Sequence, residues 1–186
     1  MLFRSPEIQR ALPMIAVPTT AGTGSEVTPW ATLWDRTSAK HQKFSLHLQE
    51  TWPEAALVDP ELTMSLPRVV TRDSNLDALS HALESIWNVN ANPVSDGLAV
   101  QAARTVIQNL PALLNDPANQ HLRTLASRAS LMAGLAFSNT KTALAHNISY
   151  EMTLKYGLSH GLACSFTLPI VWRLAQGRNQ IGRAHV

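Results

Sequence analysis

The apolar periodicity of the chain changes near residue 66, and that change limits which folds are open to it. Before it, short apolar runs are broken by turn residues. Residues 12–17 read as a buried strand ending at Pro18, residues 27–34 as a second, and residues 43–48 as a weakly alternating third. Residues 55–58 read as a short buried strand before Asp59-Pro60, although helix stays open for every run this short. After the boundary the spacing becomes helical. A first helix is expected from a cap at Asp73 or Ser74 through Asp77, His81 and Glu84. Ser95 is the expected cap of a second, which carries Leu98, Ala102, Thr105, Val106 and Leu110 and ends at Pro111. A third begins near Asn119, and a fourth runs from about residue 140 to 155 with Leu144, Ile148 and Met152 inward and stops at Gly157. A fifth follows Gly161 up to Pro169. The division is thus residues 1–66, an α/β piece, and residues 67–175, an all-α piece.

The last six residues, Ile181 to Val186, have neither core periodicity nor a helix stop, and match a reading frame of a sequencing adapter, ATC-GGA-AGA-GCA-CAC-GTC. Residues 176–186 are therefore expected to be an artefactual tail, and both ends of the chain look cut. Composition narrows the function classes. Apolar residues make up 45% of the chain and charged residues 15%, which suits a buried core rather than a disordered segment. A net charge of +2 without a Lys/Arg-rich block argues against nucleic acid, and no apolar run is long enough for a membrane span. The single cysteine, Cys164, cannot form an internal disulfide, so a reducing, cytoplasmic compartment is expected. Its neighbours Ala163 and Phe166 make it read as a small buried side chain.

Two constellations carry chemistry. In Asp77-Ala-Leu-Ser-His81 the i, i+4 spacing puts a carboxylate and an imidazole on one helix face, a suitable bite for a metal ion and equally for a surface hydrogen bond. Glu84, one turn on, is placed to orient His81. His146 lies mid-helix among apolar residues, and His160 at a loop-to-helix junction. Asp77 with these three histidines is an oxygen/nitrogen set suited to Fe²⁺ or Zn²⁺. The other reading makes His146 a core histidine bonded to a carbonyl and His160 a helix cap. The second constellation is the loop at residues 18–26 (PTTAGTGSE). Gly22 and Gly24 permit close backbone approach to a ligand there, and the hydroxyls offer donors, as they would in a plain polar turn.

Five segments occur in order: residues 18–26, 59–63 (DPELT), 77–84 (DALSHALE), 133–137 (AGLAF) and His160-Gly161. Together they closely resemble the iron-containing (group III) alcohol dehydrogenases, over about residues 12–172. The resemblance implies the end of a Rossmann-like dinucleotide-binding domain followed by an all-α metal-binding domain, an architecture shared with dehydroquinate synthase and glycerol dehydrogenase. It implies metal ligation by Asp77, His81, His146 and His160, the last two keeping the family's fourteen-residue interval. It implies that Thr19, Thr20 and Thr23 contact NAD or NADP, with Thr28 toward the nicotinamide, Lys43 near a cofactor-contacting lysine and Leu62 on the adenosine side. The implied activity is hydride transfer between nicotinamide and a small aldehyde or alcohol, in a homo-oligomeric parent. Dehydroquinate synthase-like and glycerol dehydrogenase-like chemistry, and a fragment inactive alone, are the alternatives.

Departures from the family pattern matter as well. Ser74-Asn75-Leu76 precedes Asp77 where relatives carry Thr-Gly, and Tyr150 stands where many have a histidine near the substrate. Residues 87–93 and 141–150 resemble a branch that includes phosphonoacetaldehyde reductases. In that reading Lys141, on the helix of His146, meets an anionic group of the substrate. Its other reading is a surface lysine. The Gly-rich phosphate loop of the first βα unit is missing from the sequence.

Overall fold

The computed structural model describes residues 12–37 and 41–176. The expected artefactual tail therefore lies outside the described residues, except Gln176, which ends the last helix. Among the described residues the first part holds four short strands. β1 (Ile15–Ala16) pairs in parallel with β4 (Ala55–Ala56), extended by Glu54 N–H to Met14 O at 2.8 Å and Leu57 N–H to Ala16 O at 2.9 Å. β2 (Trp30–Asp35) and β3 (Gln42–His47) form an antiparallel hairpin in the register Trp30↔His47 to Asp35↔Gln42. The strand expected from residue 27 starts at Trp30, because Ser25–Val27 winds into a 3₁₀ turn entered through Gly24 at φ 60°.

Among the described residues five helices follow: α1 (Arg68–Ile86), α2 (Pro93–Asn115), α3 (Gln120–Thr140), α4 (Leu144–Tyr156) and α5 (His160–Gln176). The first three pack on an alanine seam formed by Ala78, Ala82, Ala99, Ala102, Ala103, Ala129, Ala133 and Ala136, with Val106. Such small residues let helix axes approach toward the near end of the usual ~8–10 Å. Leu79, Leu83, Leu98 and Leu110 close the flanks. A second cluster, Trp87, Ala143, Ala145, Leu168 and Val171, seats α4 and α5, and a third joins Ala21 of the Thr/Gly loop to Leu113 and Ala126.

Several local expectations are corrected. α1 begins at Arg68, so Asp73 and Ser74 lie inside it rather than capping it. Their polar run is absorbed by tertiary partners: Thr71 accepts from the buried Arg123 at 2.8 Å, and Asp73 accepts from Ser159 of the α4–α5 loop. The cap of α2 is Asn92, whose side chain accepts from Val94 N and Ser95 N while Ser95 Oγ accepts from Asn92 N. Pro111 lies within α2 instead of ending it. The bond it forfeits belongs to the carbonyl of Ile107, a residue 60% exposed, where water can substitute. Pro169 likewise sits inside α5. In α4 the bulky residues Leu144 and Ile148 face outward, and the buried stripe is Ala145, His146, Ser149 and Thr153. A helix turns one stripe inward, and here the stripe bearing His146 is the one that meets α1.

Candidate metal centre and cleft

The backbone supports for this centre are close contacts that only glycine permits. A Cβ on Gly161 would stand 1.9 Å from Asp73 O, so α5 begins flush against α1 and His160 is set opposite Asp77. A Cβ on Gly22 would stand 2.3 Å from Ser74 O, and one on Gly24 2.6 Å from Gly134 Cα. The Thr/Gly loop is thus pressed onto α1 and α3.

On this frame Asp77 Oδ1 lies 3.8 Å from His81 Nε2, 3.6 Å from His146 Nε2 and 3.8 Å from His160 Nε2. These separations are too long for hydrogen bonds and are the spacing of donors that share one ion. Asp77 Oδ1 and His146 Nε2 are buried without a hydrogen-bond partner among the described residues. An orphaned acceptor costs about 1–3 kcal/mol, and two facing each other call for a cation between them. The donor set therefore fits a divalent ion.

The ring orientations are fixed from behind. His81 Nδ1 donates to Gly22 O at 3.3 Å, and His146 Nδ1 donates to Glu84 Oε2 at 2.5 Å, which turns both Nε2 lone pairs toward Asp77. Glu84 was expected to orient His81. It orients His146 instead, because α1 carries it past His81 to the start of α4, where it also accepts from Ala143 N and Ala145 N. Three bonds to a fully buried carboxylate outweigh desolvation and hold its pKa below the ordinary value. Burial alone would raise Asp77, but the surrounding histidines hold it well below the carboxylate range. Burial pushes His81 down to about 4, so it is an uncharged, ligand-ready imidazole at neutral pH. Phe137 stacks on its ring at 4.1 Å.

The four residues stand at the floor of a cleft of about 500 Å³ whose walls include Thr23, Thr28, Trp34, Lys43 and Tyr150. Thr28 is 3% exposed, and Thr23 Oγ1 is tied to Ser25. Thr19 and Thr20 lie earlier in the loop and Leu62 in the 3₁₀ turn Pro60–Thr63, all outside the cleft lining. Lys141 is a correction. It is not on α4 but caps the end of α3 at φ 74°, exposed and outside the cleft lining that its neighbour Thr142 joins, because residues 141–143 break the helix expected to start at 140. Among the described residues the lysine in the lining is Lys43, its Nζ 3.7 Å from the Tyr150 ring centroid.

Sequence reasoning missed two residues. Trp34 reaches from the hairpin to the rings of Tyr150 and His160 at 6.2 and 6.0 Å, a contact with no local signal. Cys164 was read only as a buried side chain. It is fully buried, and its Sγ lies 3.6 Å from His160 Nε2; the i, i+4 spacing from His160 was the available signal.

Comparison with known proteins gives the family. Residues 71–183 match the Fe-containing alcohol dehydrogenase family, C-terminal, and residues 2–60 match iron-containing alcohol dehydrogenase. A phosphonoacetaldehyde reductase of Streptomyces viridochromogenes is 39% identical over 85% of this chain and 40% of its own length. An NAD-dependent methanol dehydrogenase of Bacillus methanolicus is 38% identical over 86% of this chain and 42% of its own. Among solved structures, sulfoacetaldehyde reductase from Bifidobacterium kashiwanohense in complex with NAD+ superposes with a TM-score of 0.86 at 39% identity, covering 92% of this chain and 45% of that one. The chain thus spans less than half the length of each of these relatives. With both family segments matched in order and the helical frame superposing, the chain belongs to the iron-containing alcohol dehydrogenase family.

Proposed function

We propose that this chain forms the metal centre and substrate-facing wall of a longer NAD(P)-linked alcohol dehydrogenase or aldehyde reductase whose substrate is a small aldehyde bearing an anionic group. The carrying observation is the convergence of Asp77, His81, His146 and His160, two of whose donor atoms are buried and unpartnered, at the floor of an open cleft. When bound, the divalent ion supplies Lewis acidity toward a carbonyl oxygen and the nicotinamide supplies the hydride. Asp77, kept ionised, and the three imidazoles hold the ion, while Glu84 and the Gly22 carbonyl keep two of those imidazoles in the ligating tautomer. Thr23 and Thr28 line the cleft and are assigned to the cofactor; Thr19, Thr20 and Leu62, outside the lining, are assigned to it on the family resemblance alone. Phe137 and Trp34 restrict water beside the histidines.

The substrate class rests on Lys43, set against Tyr150 within the lining, and on two relatives named for aldehydes with a phosphonate or sulfonate. Lys43 takes over the anion-meeting role expected of Lys141. No described helix is long and apolar enough to cross a membrane, and a cytoplasmic, homo-oligomeric enzyme belongs to the same reading.

The test uses the full-length enzyme loaded with iron or zinc. NADH oxidation should follow addition of phosphonoacetaldehyde or sulfoacetaldehyde and stop on chelation. Lys43→Ala should lower kcat/KM for the anionic aldehyde about tenfold more than for propanal, equivalent to roughly 1.4 kcal/mol. Equal losses with both aldehydes, accompanied by a raised KM for NADH, would assign Lys43 to the cofactor alone.

A further inference from the structure

One face of the β2–β3 hairpin borders the cleft opposite the helices. Side chains alternate along a strand, so Trp30, Thr32 and Trp34 share that face with the cross-strand neighbours Ser45 and Lys43, and all five line the cleft. At the Trp30 end the hairpin braces itself, because Trp30 stacks on its partner His47 with ring centroids 4.0 Å apart. At the other end Trp34 reaches the helices. Its ring meets those of His160 at 6.0 Å and Tyr150 at 6.2 Å, both edge to face, and Lys43 Nζ lies 5.7 Å from its centroid. Trp34 therefore touches a residue of the metal centre on one side and the Lys43–Tyr150 pair on the other.

The geometry points to Trp34 as a specificity-determining residue, whose indole closes the cleft beside the metal centre and restricts the substrate to short aldehydes. The inference rests on the reading of this cleft as the substrate site and goes beyond it by setting chain length. A cleft of about 500 Å³ has to admit both a nicotinamide ring and the substrate, so one indole decides how much room is left. Two ring contacts and a cation hold that indole in place. A chain leading away from a carbonyl at the metal centre runs along Trp34 toward the Lys43 ammonium. An alkyl tail there would strip water from the ammonium without replacing it, whereas a short chain ending in an anion would pair with it.

The experiment measures kcat/KM for acetaldehyde and hexanal by NADH oxidation, using the full-length, metal-loaded enzyme. Both values come from one preparation, so any loss of metal cancels in their ratio. The wild type should favour acetaldehyde by about tenfold or more. Trp34→Ala should raise the hexanal-to-acetaldehyde ratio about tenfold or more, since a single methylene in an apolar pocket is worth about 10–200-fold. Trp34→Phe should raise the ratio less, and it carries the test alone if the alanine variant does not fold. An unchanged ratio, or a wild type that turns over hexanal as readily as acetaldehyde, would overturn the role of Trp34 while leaving the cleft's assignment standing. Turnover of neither aldehyde, nor of phosphonoacetaldehyde, would overturn both together.

Discussion

Gly161→Ala tests how far the metal centre depends on the contact between α5 and α1. The new methyl would stand 1.9 Å from Asp73 O and 3.1 Å from Asp77 Cβ. An ordinary C···O contact is about 3.3 Å, so the start of α5 must retreat by roughly 1.4 Å. His160 is the preceding residue and moves with it, whereas metal ligands tolerate about 0.2 Å. The overpacking should cost about 1–3 kcal/mol of stability, and displacing His160 should weaken metal binding by about 100-fold or more. Metal content after dialysis against a graded chelator, with helicity by circular dichroism, separates the two effects. Gly97→Ala is the control: its Cβ would meet nothing within 4 Å, and within α2 alanine should be neutral or stabilising by up to about 1 kcal/mol. A Gly161→Ala enzyme that keeps wild-type metal affinity would refute the flush packing of α5 on α1.

Glu84→Gln removes the charge that accepts from His146, Ala143 and Ala145, and its amide would put a donor against a donor; metal affinity should fall about 10–100-fold, read by competition with a chromophoric chelator. Gly22→Val would at first sight harm nicotinamide binding alone, but Gly22 also abuts Ser74 and accepts from His81, so both cofactor and metal affinity should drop; an unchanged metal affinity would contradict the His81 contact. Glu26 is buried, and desolvation raises its carboxyl above 4.5 in the fold. The unfolded chain therefore loses that proton first, and stability falls as pH rises through the window between 4.5 and the raised value. The Tm of Glu26→Gln should accordingly gain on the wild type between pH 4 and pH 7, and a constant difference would count against burial of the charge.

The sequence by itself determined what local chemistry can encode. The i, i+4 pair Asp77/His81 needs only a helix to share a face, Gly157 ends α4 because φ 68° suits glycine, and Asn119 caps α3 through its own side chain. The five ordered segments carried the family, which depends on residue order rather than on contacts. Whatever depends on two segments meeting was decided by the tertiary structure. Glu84 found His146 rather than His81 because the start of α4 lands beside it, and Lys141 left the helix of His146 because a break at 141–143 separates α3 from α4. Leu144 and Ile148 lost the interior of α4 to His146 and Ser149, since the polar stripe faces the carboxylates of α1. Trp34 joined the cleft through long-range packing that hydrophobic periodicity does not record. A burial pattern tells which face of an element turns inward. Which partner waits there is set by helix packing, and here by the glycine contacts that bring α5 and the Thr/Gly loop against α1.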